Sequence, residues 1–142
     1  YAATKWAVIA LTKSLAGELA GAIPENALPV ELEEVGSVGM DTWFACFAYG
    51  ARRVLLLAGP DTPESVVGAL ERDVDVTARI LEGMGYAGGA VALLSAGADE
   101  TIAAAVSSDE AIDTGRPATF APPPEKRLLL RTAMTNVKPN LR

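Results

Sequence analysis

Within residues 2–22, a stretch rich in Ala, Leu and Lys with no internal proline, apolar residues recur at Val8, Leu11, Leu15 and Leu19. A spacing of three and four predicts the apolar face of a helix. The helix is expected to stop near Gly21 and Pro24, and Pro24, Asn26 and Pro29 then form a short connection. Val30 and Leu32 alternate with Glu31 and Glu33, the pattern of a strand with one wet face or a place at a sheet edge. Met40, Trp43, Phe44, Phe47 and Ala48 return to helical spacing until Gly50, a natural residue for a helix C-terminal cap. Val54 to Leu57 is an unbroken apolar run bounded by Arg53 and Gly59-Pro60, which predicts a strand buried on both faces at the centre of a sheet.

Thr62-Pro63-Glu64 places a capping residue, a first-turn proline and an acid at the start of a long helix. Its apolar stripe (Val66, Val67, Leu70, Val74, Ala78, Leu81, Met84) opposes Glu71, Arg72, Asp75, Arg79 and Glu82, as for a helix laid on a sheet. Gly85, Gly88 and Gly89 precede a third strand candidate at Ala90 to Leu94, and Asp99 to Val106 reads as a short alanine-rich helix. Residues 107–124 have the Ser, Gly and Pro content of a connector, and Glu125 to Met134 reads as a final helix. Alternation of strand and helix predicts a small three-layer α/β arrangement with about three parallel strands, an added N-terminal helix and a C-terminal helix. The expected divisions are an N-terminal helix at 1–22, an α/β module at 27–106, a connector at 107–124 and a basic helix at 125–137.

Composition narrows the chemistry more than the fold. At 142 residues and 50% hydrophobic, the chain has the size and apolar content of one domain with a core. It has no histidine and one cysteine, Cys46. An intrachain disulfide, a Cys–His zinc site and a triad with an imidazole base are therefore excluded. Residues 1–124 carry seven basic and seventeen acidic side chains, a net −10, whereas 125–142 carry five basic and one acidic, a net +4. The acidic body would repel a phosphate backbone, and the tail cations lack interleaved aromatics, so no nucleic-acid partner is expected. Lys13 and Glu18 interrupt one apolar stretch and Arg52 and Arg53 another, so no membrane span is expected. The chain begins at Tyr1 with no basic leader or small-residue cleavage site, so no signal peptide is expected, a fragment or a processed product is, and the expected location is cytoplasmic.

Several residue groups have a chemical and a structural reading. Tyr1 and Lys5, four apart on a predicted helix, would share a face, and an ammonium beside a phenol favours the phenolate. Such a pair suits a general acid/base and its electrostatic helper; a solvated helix terminus is the plainer reading. Gly36-Ser37-Val38-Gly39 lacks the glycine spacing of a nucleotide-binding loop and is followed by Asp41, which favours a structural turn. The loop Gly59-Pro60-Asp61-Thr62 lies at the carboxyl end of the presumed central strand, where open α/β sheets bind ligands, but its acids argue against phosphate and for a helix cap. Trp43, Phe44, Phe47 and Tyr49 suit a core better than a docking surface, Cys46 a small buried hydrophobe, and Glu31, Glu33 and Glu34 a solvated strand face better than a cation site. No metal ligands are assigned.

Two stretches of text resemble known families. YAATKWAVIALTKSLAGELA resembles the Tyr-x-x-x-Lys active-site helix of short-chain dehydrogenases/reductases. The resemblance implies Tyr1 as catalytic acid/base and Lys5 as a catalytic residue that also holds the nicotinamide ribose of NAD(P). It covers only residues 1 to about 20. Pro24-Glu25-Asn26-Ala27-Leu28-Pro29 stands where the family has a strand and an Asn-x-x-x-Pro-Gly turn.

LPVELEEVGSVGMDTWFACFAYGARRVLLL, with the later FAPPPEKRLLLRTAM, resembles the middle module of bacterial iron–sulfur, ferredoxin-type electron-transfer proteins, a region similar to the delta subunit of methyl-viologen-reducing hydrogenase. This likeness covers residues 27–137 and implies a non-catalytic module whose parent carries iron–sulfur clusters in flanking ferredoxin segments and meets a redox protein partner. Cys46 alone does not hold a cluster, since the common clusters need four protein ligands. The expectation is thus a non-catalytic electron-transfer module without its own cluster ligands. The alternatives are a dehydrogenase fragment with Tyr1 and Lys5, and a junction of the two near residues 21–26.

Overall fold

The computed structural model describes residues 6–95, 99–106, 123 and 125–137. Four parallel strands form one sheet in the order β2-β1-β3-β4. They are β1 (Ala7–Thr12), β2 (Ala27–Leu32), β3 (Arg53–Ala58) and β4 (Val91–Ser95). The helices are α1 (Lys13–Glu18), α2 (Met40–Ala48), α3 (Glu64–Gly83), α4 (Asp99–Val106) and α5 (Lys126–Asn136). The α/β class, the parallel sheet and the helices at both ends follow the pattern read from the sequence.

The first element departs from expectation. Residues 7–12 are a strand, and only Lys13–Glu18 of the helix expected over 2–22 is helical. Ala7 to Leu11 is an unbroken apolar run with β-branched Val8 and Ile9, and every residue of it is buried. A surface helix needs one apolar stripe, whereas an inner strand of a parallel sheet is covered on both faces and needs apolar residues throughout. Ile9 and Leu11 meet one hydrophobic cluster and Ala10 meets the other, so alternate residues serve opposite faces. The helical spacing of Val8, Leu11, Leu15 and Leu19 therefore spans a strand and a helix. The sheet accordingly has four strands, and the N-terminal segment is not a separate element added to a module beginning at residue 27. In the sheet, β1 pairs with β2 on one side and with β3 on the other.

This order fixes the layers. Trp43, Phe44, Phe47, Leu70, Leu81 and Ala133 place α2, α3 and α5 on the face that carries Ala10, Val54, Leu56 and Val91. Leu15, Ile102 and Val106 place α1 and α4 on the opposite face with Ile9, Leu11, Leu55 and Leu57. Two helices end in matching glycine turns. Gly50, at φ 111°, follows α2, with its N–H donated to the Phe47 carbonyl and that of Ala51 to Cys46. Gly85, at φ 88°, follows α3, with its N–H donated to Glu82 and that of Tyr86 to Leu81. This is the paired bonding of a Schellman turn, whose left-handed residue favours glycine.

The outer strand β2 is exposed along most of its length, with Leu28 53% accessible, which agrees with the edge position expected from its alternating acids. The N–H of Ala7 bonds to the Asn26 carbonyl, so by parallel-ladder geometry the even-numbered residues of β2 bond inward to β1. Ala27, Pro29 and Glu31 thus turn their backbone groups outward. Proline sits where its missing N–H costs the ladder nothing, and it blunts the open edge.

Arg53, at the start of β3, is 5% exposed. Its guanidinium donates to the Gly89 carbonyl at 2.6 Å and to the Ala105 carbonyl in the last turn of α4. A cation at that end of a helix is favoured by the helix dipole as well as by the hydrogen bond. No helix among the described residues is long and apolar enough to cross a membrane.

Candidate functional site

The strand order reverses between β1 and β3: from β1 the chain passes through α1 to β2 on one side, whereas β3 leads through α3 to β4 on the other. The two following helices lie on opposite faces, so the connections diverge and leave a crevice at the carboxyl ends of the strands. A cleft of about 310 Å³ lies there. Thr12, Ser14, Leu15 and Glu18 line it from the end of β1 and α1, Glu34 and Val35 from the segment after β2, and Gly59 to Pro63 with Val66 from the end of β3 and α3.

Its floor is apolar and closed. Leu15 and Val35 are both buried, and a Cβ placed on Gly59 would lie 3.1 Å from the Leu15 Cδ1 atom. The α1 leucine therefore rests on the Gly59 backbone across the switch point. Above it the lining is polar, with the Thr12 and Ser14 hydroxyls 3.4 Å apart. Glu18, Glu34 and Asp61 contribute carboxylates and, among the described residues, no lysine or arginine lines the cleft, so these groups would repel a phosphate or pyrophosphate entering it.

The Gly59–Thr62 loop occupies the ligand-binding position anticipated for it, although its capping role differs. Helix α3 begins at Glu64 with Pro63 in the capping position and no side-chain cap, while the Thr62 N–H closes a turn onto the Gly59 carbonyl. Proline at that position sets the extended backbone from which the helix starts, leaving Thr62 one residue too early to cap it. Thr12, at the end of β1, and Ser14 and Glu18, on α1, are not legible as site residues in the sequence, because the helical spacing hides the strand end that brings them to the crevice. The available signal was the Ala7 to Leu11 run, equal in kind to Val54 to Leu57.

The other candidates resolve simply. Trp43, Phe44 and Phe47 are core, each 1% exposed or less, and the two phenyl rings meet edge to face with centroids 6.3 Å apart. Gly36 to Gly39 is a turn: Val35–Ser37 forms one turn of 3₁₀ helix, and Ser37 donates through Oγ to the Glu34 carbonyl at 2.7 Å. A Cβ on Gly36 would lie 2.8 Å from the Val66 side chain, so glycine lets this turn close against α3. Tyr1 and Lys5, and the connector at 107–124 apart from Pro123, lie outside the described residues.

Among the described residues neither implied cofactor finds a matching donor set. Cys46 packs at the margin of the aromatic cluster on α2, remote in sequence from every cleft residue, and burial pushes its thiol up to about 11. A thiol held neutral is a poor metal ligand, because the thiolate is the ligating form. Among the described residues no group of three or more His, Cys, Asp and Glu side chains is placed to hold a metal ion. The residues present do not fit an iron–sulfur cluster. For a dinucleotide, the turn after β1 is Thr12-Lys13-Ser14, without the glycines that let a backbone approach a pyrophosphate, and the cleft is acidic. No protein-family model matches the chain, and no curated protein is found to be similar to it.

Proposed function

We propose that this chain is a non-catalytic α/β module of an iron–sulfur electron-transfer protein, of the kind related to a hydrogenase delta subunit, and that it positions redox partners without itself binding a cluster. The observation that supports this reading is the switch-point crevice. At the place where an α/β enzyme would hold its substrate, this chain has a leucine-plugged floor and, among the described residues, a rim without histidine, cysteine or a cation. Its one thiol is half-buried on α2 and kept neutral there. The text that resembles the electron-transfer module, from Leu28 to Leu57, runs through β2, α2 and β3, the two strands lying on either side of β1.

The test has two arms. Nicotinamide fluorescence during titration of the chain with NADH is expected to show no saturable change, and micromolar binding would overturn the proposal in favour of a dehydrogenase fragment. The complete product of the gene, purified without oxygen, is expected to absorb in the visible range and to lose that colour on acid treatment. A colourless complete product would equally overturn it.

A further inference from the structure

Helix α5 carries a face that no other described residue covers, and its chemistry differs from the rest of the molecule. Ala133 and Val137 turn into the core against α2 and are fully buried. Beside that buried stripe runs a shallow groove of about 480 Å³, lined by Arg127, Leu130, Arg131, Met134 and Thr135. These positions recur at helical spacings of three and four along one flank of the helix. Leu130 and Met134 form an apolar floor that is only partly covered, the two guanidinium groups flank it, and Leu128 stands 45% exposed alongside. No ion pair among the described residues engages Arg127 or Arg131.

We infer that this face of α5 docks an acidic, amphipathic segment of the redox protein that the module positions; the identity of that partner as a redox protein rests on the function proposed above. The charge distribution selects both the occupant and its orientation. With −10 on residues 1–124 and +4 on 125–142, an acidic partner is repelled by the body and attracted only by the basic end. Apolar side chains of an amphipathic helix fill the Leu130–Met134 floor while its carboxylates meet Arg127 and Arg131. A basic partner would be drawn to the acidic body instead. A nucleic acid would find the cations but no aromatic platform on which to stack.

The experiment is an amide chemical-shift titration of the full chain with a small acidic ferredoxin at low and at high salt. Shift changes are expected to concentrate on α5 and to fade as salt is added. The exposed charge reversal R127E/R131E should leave the circular dichroism unchanged and weaken binding roughly tenfold. Leu128→Ala, which keeps every charge, is expected to weaken it by a smaller factor. Unchanged affinity in R127E/R131E, shifts that map to the acidic body, or binding of duplex DNA as tight as that of the ferredoxin would overturn the inference. Its failure is distinct from failure of the parent reading: absent α5 shifts refute the docking face whatever the colour of the gene product, and a colourless product refutes the parent while leaving the α5 titration measurable.

Discussion

The two faces of the sheet are held by different means. On one, α2, α3 and α5 bury Trp43, Phe44 and Phe47 with Leu56, Leu70 and Leu81, and dispersion and area do most of the stabilising. On the other, short α1 and alanine-rich α4 offer Leu15, Ile102 and Val106 to Ile9, Leu11, Leu55 and Leu57, with no aromatic among the described residues of the cluster. There Arg53 contributes a polar clamp, tying the end of α4 and the turn before β4 to the start of β3. Where a helix is too small to hold itself by burial, a buried cation on helix and turn carbonyls substitutes for bulk. That substitution is rigid in geometry and vulnerable to a single change, because each carbonyl is left without its donor once the guanidinium is gone.

Four measurements would break or sharpen this contrast. Phe47→Ala removes an aromatic ring from the bulky face and is expected to cost about 3–5 kcal/mol in urea denaturation. A loss as small as that of a surface variant would show that the aromatic cluster is not what secures this face. Arg53→Met is expected to cost about 3 kcal/mol, since hydrogen bonds from charged donors are worth about 1.5–3 kcal/mol each and methionine restores only the packing. Hydrogen exchange should reveal faster opening of α4 with α3 still protected; equal loss in both helices would make the clamp a global support rather than a local one.

Alkaline pH probes the bulky face through Cys46. Burial raises the native thiol from its ordinary 9.0 to about 11, so below pH 9 both states hold the proton and stability is unaffected. Between those values the unfolded chain ionises while the native chain does not, and stability falls with rising pH by up to about 3 kcal/mol. Cys46→Ala should lack that increment when the two proteins are compared across the same range, and parallel pH profiles would refute it. Smallest is Ile102→Val on the thin face, expected to cost about 1 kcal/mol by thermal or urea unfolding. A cost several times larger would mean that α4 is held by its apolar side chains after all.

Legibility in the sequence followed the way each element meets the core. Helix α3, with one apolar stripe and a charged back that includes the Asp75–Arg79 pair at 3.1 Å, carries its period openly. Strand β3 is short, unbroken and bracketed by turn residues, and it reads as a buried strand for the reason that it is one. Strand β1 has the same apolar continuity, but it runs directly into helix-forming text at Lys13-Ser14-Leu15, and a short apolar run looks alike in both periods. That single ambiguity hid half of the crevice, since Thr12 and Ser14 become site residues only once a strand ends beneath them. The Gly59–Thr62 half was visible because its strand was. The Arg53 clamp had no local signal: its partners at Gly89 and Ala105 lie 36 and 52 residues away and are backbone carbonyls, which no side-chain pattern marks.

The position of β1 also sets an order of events during folding. Of the four described strands the first in chain order is an inner one, and its two edges are claimed at different times: by β2 across a short loop and helix, then by β3 once α2 has crossed back over the sheet. Until β3 arrives, β1 presents an unpaired apolar edge to solvent, the condition under which nascent parallel sheets are slow and prone to association. The aromatic helix between β2 and β3 thus sets the length of that delay, and variants that slow its docking should show in refolding rate and yield before they show in the equilibrium fold.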